Sequence, residues 1–103
     1  MLVSLLYTAI MNRLVQLPVI LIKEAKYFVA YSPALELSTS GKTEEQAKKR
    51  FSEVVNIFFE EVEEKGTLNE VLTELGWQKV NSSWSPPQVI SHMEQEVRLP
   101  HLV

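Results

Sequence analysis

The side chains that could hold a metal ion or move a proton are thirteen glutamates and two histidines, with no aspartate and no cysteine. Carboxylates that converge can clamp paired divalent ions roughly 4 Å apart and cleave a phosphodiester. Glu24, beside a strand-like hairpin, and Glu94 or Glu96, on a strand-like segment near the C-terminus, are the set that could converge. His92 and Glu94 alternate onto one face of that segment. They would supply two ligands, where a metal site wants three or four with a supporting shell. A solvated strand edge and surface histidines explain these residues more simply. The sequence therefore assigns no catalytic residue, no metal ligand and no cofactor site, and the chain reads as non-enzymatic.

Other chemistries lack their parts. Without cysteine there is no disulfide framework, thiolate site or thiol nucleophile. The three glycines, Gly41, Gly66 and Gly76, each fall at a helix boundary, so no glycine-rich phosphate loop exists. Serines are frequent but no nucleophile-elbow motif surrounds them. Trp77 and Trp84 flank a loop and could stack on a base or a peptide; core or interface packing is the simpler expectation.

The remaining chemistry is charge, and it is laid out along one helix. Lys48-Lys49-Arg50 stand near its start, and Glu60, Glu61, Glu63 and Glu64 near its end. This opposes the helix dipole, which favours acids first and bases last. Glu44–Lys48, Glu45–Lys49 and Glu61–Lys65 are spaced for local ion pairs. The acidic end could receive a basic protein, with Phe59 and Ile57 widening the apolar surface beside it. Two copies of the helix could instead pack antiparallel, acidic end on basic start, in a two-fold dimer. Glu60, Glu61, Glu63, Glu64 and Phe59 are the candidate partner-binding residues.

The elements that position this helix have clear signals. Val19–Lys23 and Lys26–Ser32 are strand-like runs of β-branched and aromatic residues, close enough for a hairpin. Pro33 ends the second run, and Leu35–Thr39 forms a third. Thr43 and Gln46 have the spacing of a capping box. Ala47, Phe51, Val54, Val55, Phe58 and Val62 then form one stripe, closed by Gly66. Thr67 and Glu70 repeat the box before a shorter stripe over Leu68–Leu75, closed by Gly76. Residues 77–88 read as loop. Val89–Leu99 alternates, with Val89, Met93, Val97 and Leu99 on one face, Ser91 and Gln95 among them, and His92, Glu94, Glu96 and Arg98 on the other, the pattern of a strand with one wet face.

The residues Tyr27-Phe28-Val29-Ala30-Tyr31, then Pro33, Leu35, Gly41, Thr43, Glu45 and Ala47, resemble the HicB-like (UPF0150-type) family over about residues 19–65. That family has an aromatic–Val–Ala strand, a Pro-x-Leu turn and a Gly-x-Thr-x-x-x-Ala lead into a long helix. The resemblance implies an α+β, partial RNase-H-like fold, β-β-β-α-(α)-β, one sheet with a long amphipathic helix packed on one face. It implies an antitoxin-type protein that binds and masks a small basic HicA-type mRNA-cleaving toxin. The alternative is a stand-alone homo-oligomeric protein-binding module without a toxin. This sequence departs from the pattern at Lys42, where the family often has an acid, at Glu36-Leu37-Ser38 in place of Gly-Cys, and at a hairpin tip without glycine. Residues 77–103 are too few and too weakly basic for the helix-turn-helix that many relatives carry, and hold no second pair of helices for a ribbon-helix-helix.

Composition agrees with one domain spanning residues 1–103, with no separate DNA-binding domain. At 46% hydrophobic and 22% charged residues the chain reads as a folded globular protein. Its formal net charge of −3 disfavours nucleic acid, which recruits clustered positive charge. A homodimer or higher homo-oligomer is expected at this size. The apolar opening MLVSLLYTAI lacks a basic n-region, and Asn12, Arg13, Gln16 and Pro18 interrupt it before the ~20 residues of a membrane span. Residues 1–10 are expected either to form a helix or strand covering the domain or a neighbour, or to be an extension ahead of a start at Met11. A cytoplasmic location is expected.

Overall fold

The computed structural model describes residues 14–101; the readings for residues 1–10 and Met11 lie outside the described residues. Strands β1 (Ile20–Glu24) and β2 (Tyr27–Ser32) pair antiparallel, from Ile20 opposite Tyr31 to Glu24 opposite Tyr27. The turn between them, Ala25-Lys26, places Ala25 at φ 45°. Strand β3 (Leu37–Gly41) pairs with the other edge of β2, giving the order β1-β2-β3. It starts two residues later than the sequence run suggested, because Glu36 turns through a left-handed φ of 53° and breaks the extended path.

The register fixes the two faces, since residues directly opposite in an antiparallel pair point the same way. Leu21, Phe28, Ala30, Ser32, Leu37 and Thr39 share one face with Gly41. Helix α1 (Glu44–Glu64) lies on it. Ala30, Ala47 and Phe51 are buried there, with Leu21, Phe28, Leu37 and Val55 packed around them. Burying Phe51 alone contributes about 2–3 kcal/mol. The helix comes close because Gly41 has no side chain: a Cβ there would stand 2.6 Å from the Ala47 nitrogen.

Thr43 caps α1 as expected, its Oγ1 accepting from Gln46 N at 3.1 Å. The return half of the box differs. The Gln46 side chain accepts from Lys42 N at 2.7 Å. At the far end Gly66 N donates to Glu63 O (3.1 Å) and Thr67 N to Val62 O (2.9 Å), a Schellman ending with Gly66 at φ 68°. The second box does not form. Thr67 leads into α2 (Leu68–Glu74) at ψ 11°, away from the extended backbone that aims a capping hydroxyl, and no side-chain cap bond is made. Its N–H already closes α1.

A second Schellman ending at Gly76 turns the chain into Trp77. Trp77 is buried with Ala34, Leu35 and Leu72, and its indole N–H donates to Ala34 O at 2.8 Å. That bond ties the Pro33–Glu36 turn to the end of α2 across the chain. It settles Trp77 as a core residue.

Residues 77–88 are not simply loop. Strands β4 (Gln78–Val80) and β5 (Ser83–Ser85) form a separate two-stranded sheet around Asn81-Ser82, both at positive φ (51° and 63°). Lys79 lies over the Trp84 ring at 5.6 Å from its cross-strand position. The strand expected over Val89–Leu99 is absent: residues 88–101 are exposed and carry no ladder. An alternating pattern makes a strand only where another strand offers its backbone, and no described strand pairs with this segment. The architecture is α+β, a three-stranded antiparallel sheet, a long helix on one face, a short helix and a small hairpin.

Candidate partner-binding surface

Helix α1 ends in four exposed glutamates, Glu60, Glu61, Glu63 and Glu64, around the buried Val62. No basic residue lies in its last turn, so the carboxylates add to the negative end of the helix dipole. The first turn is conventional, with Glu44 and Glu45 at the positive end. Of the three i,i+4 pairs read from the sequence, Glu44–Lys48 closes, at 3.4 Å. Both partners are more than half exposed, so it contributes little. Glu45–Lys49 and Glu61–Lys65 do not close among the described residues. Arg50 turns to the sheet instead, donating to Ser40 O at 2.9 Å.

Phe59 has two roles at this end. It is half-buried, edge-on to Phe58 with ring centroids 5.2 Å apart and to Trp77 at 6.3 Å. It therefore anchors the acidic end of α1 to the second core cluster, and only its remaining exposed part stands among the glutamates. Ile57, two residues earlier, is 53% exposed.

A second surface was less visible in the sequence. Ile20, Ile22, Glu24, Tyr27, Val29 and Tyr31 point away from α1, with Ser38 and Ser40 beside them. No described element covers this face. Ile20, Ile22 and Tyr27 keep 44%, 43% and 50% of their area in contact with water. The signal is that Val19–Ile22 is apolar at every position, where a sheet covered on one side alternates. An open groove of about 410 Å³ runs between the segment leading into β1 and α1, lined by Leu17, Val19, Leu21, Phe51 and Val55 among others.

The carboxylates considered for metal binding stay apart. Glu24 ends β1, while His92, Glu94 and Glu96 lie on the exposed C-terminal segment. No three of the described histidines and glutamates form a group that could hold a metal ion. No described helix is long and apolar enough to cross a membrane.

Comparison of the chain with protein-family models, with curated proteins and with solved structures finds no match.

Proposed function

We propose that this protein is a non-catalytic, HicB-like antitoxin-type module that binds a small basic HicA-type mRNA-cleaving toxin and masks its active surface. The observation that carries the reading is the acidic end of α1. Four exposed glutamates accumulate where the helix dipole opposes them, and no neighbouring cation within the described residues pairs with them. A local arrangement that costs helix stability without local compensation is expected where a binding partner supplies the missing charge. The order β-β-β-α agrees with what the residues 19–65 resemblance implies, and Phe59 fixes the acidic end against the core, so that the charges are presented on a firm support. Binding of this kind operates in the cytoplasm, beside the mRNA the toxin would cut.

The test exploits the dipole. Reversing Glu60, Glu61, Glu63 and Glu64 to lysine places cations where the helix favours them, so thermal stability should hold or rise slightly at low salt. Capture of a small basic partner from the native host should be lost. A stoichiometric basic partner retained by the reversed variant would refute the acidic end as the binding surface.

A second reading, a homo-oligomeric module without a toxin, is favoured by a different observation. The face of Ile20, Ile22 and Tyr27 is apolar and uncovered in the described chain. Recovery of the protein with only itself in the same capture would favour it.

A further inference from the structure

We infer that the C-terminal segment Val89–Leu99 is an exchange arm, a strand that pairs with the free edge of β1 in a second copy of this chain. The inference rests on the self-association reading and names its surface.

Three observations meet here. First, the segment has the side-chain pattern of a strand and none of its hydrogen bonds. Val89, Met93, Val97 and Leu99 share one face with Ser91 and Gln95, opposite Ile90, His92, Glu94, Glu96 and Arg98, and residues 88–101 are exposed without a ladder. Met93, Val97 and Leu99 keep 76%, 69% and 72% of their area in water.

Second, β1 is an edge. It pairs with β2 on one side, and no described residue pairs with its other side. An apolar edge with no described neighbour is a template for a further strand. Its residues are complementary to the arm on both faces. Ile20 and Ile22 line the outer face, where they would meet the arm's valines and methionine. Lys23 lies on the α1 face, and Lys26 follows in the turn, where Glu94 or Glu96 could reach them.

Third, the geometry is reciprocal. The arm leaves the body beside the segment leading into β1, since Pro86, Pro87 and Val89 line one groove with Val15, Leu17 and Pro18. Each copy thus presents an arm close to an edge that has no described neighbour. A two-fold axis at that point lets each arm lie on the other copy's β1 edge, so that the exchange is reciprocal and the same surface serves both copies. Among the described residues the β1 edge stays unpaired although the arm begins next to it, which fits an arm supplied by a second copy.

The experiment uses the full chain. Molar mass is measured by light scattering or sedimentation across a concentration series, for the natural sequence and for Met93→Pro/Gln95→Pro. Proline removes ladder donors from a strand, yet these positions make no ladder in the single chain, so the body should stay folded with an unchanged urea midpoint. The expected result is a dimer whose dissociation constant rises about tenfold or more in the proline variant, with amides of residues 89–99 protected from exchange only in the natural dimer. A dimer equally tight in the proline variant overturns the arm and leaves self-association through another surface. A natural protein monomeric throughout, with the arm's amides exposed, overturns both the arm and the self-association reading. A monomer whose arm amides are protected places the arm on its own body and overturns the exchange.

Discussion

Replacing Gly41 by alanine should loosen the contact on which the whole α1–sheet arrangement depends. The added Cβ would lie 2.6 Å from Ala47 N and 3.0 Å from the carbonyl carbon and Cβ of Gln46. Two of these atoms are backbone in the first turn of α1, so no side-chain rotation relieves the clash. The Gly41 φ is not in the left-handed region, so the cost is contact and not backbone conformation. The first turn cannot simply slide away. Thr39 Oγ1 donates to Ala47 O at 3.1 Å and Arg50 to Ser40 O at 2.9 Å, and both bonds would stretch. Overpacking of this kind costs about 1–3 kcal/mol, and the backbone character of the clash puts Gly41→Ala at about 2–3 kcal/mol. With a urea slope of about 1.2 kcal/mol/M for a small domain, the midpoint should fall by about 2 M. Gly66→Ala is the internal control. There nothing lies within 4 Å of the new Cβ, and only the φ of 68° resists, costing about 1 kcal/mol. A Gly41→Ala midpoint within about 0.3 M of the natural protein, well inside the shift this slope implies, would refute the reasoning. The close approach of β3 and α1 would then not be what glycine is there for.

Two further substitutions separate polar from apolar contributions in the core. Ser32 is fully buried and its hydroxyl finds no partner among the described residues, so Ser32→Ala should stabilise the protein by about 1 kcal/mol, read as a raised melting temperature; a fall would reveal a bond the hydroxyl makes. Trp77→Phe removes the indole N–H and strands the Ala34 carbonyl. It should cost about 2–4 kcal/mol, the lost bond and the smaller ring together, and a urea midpoint unchanged from the natural protein would show that the bond contributes nothing.

Where one residue type sufficed to decide a local conformation, the sequence was legible. Thr43 and Gly66 bound α1 because a capping oxygen and a left-handed residue act within a turn or two of chain. The stripe from Ala47 to Val62 named the buried face for the same reason, since helical periodicity is local. The second box misled because capping needs extended backbone as well as the right residues, and Thr67 is already committed to closing α1. The small hairpin escaped a reading based on loop composition. Its signal was Asn81-Ser82, two residues between Gln78–Val80 and Ser83–Ser85, with asparagine among the residues that tolerate left-handed backbone. The acidic end of α1 was legible as charge, but the double role of Phe59 was not. Its contact with Trp77 spans eighteen positions and depends on where α2 returns the chain.

The same distinction explains the segment at Val89–Leu99. A helix satisfies its own backbone, so its pattern and its structure coincide within one stretch of chain. A strand does not; half of its definition belongs to a neighbour. Alternation in residues 89–99 is therefore a statement about a surface this segment is suited to, not about its conformation alone. The uncovered residues of β1 make the converse statement, an edge and an outer face with apolar side chains and no described neighbour. The acidic end of α1 is a third feature of this kind, four glutamates that close no ion pair among the described residues, although Lys65 caps the same helix. Each violates a local rule that the rest of the chain keeps. On the proposals made above, a second copy would resolve two of them and a basic partner the third, and the substitutions at Glu60–Glu64 and at Met93 and Gln95 separate those occupants because they fall on different elements of the chain.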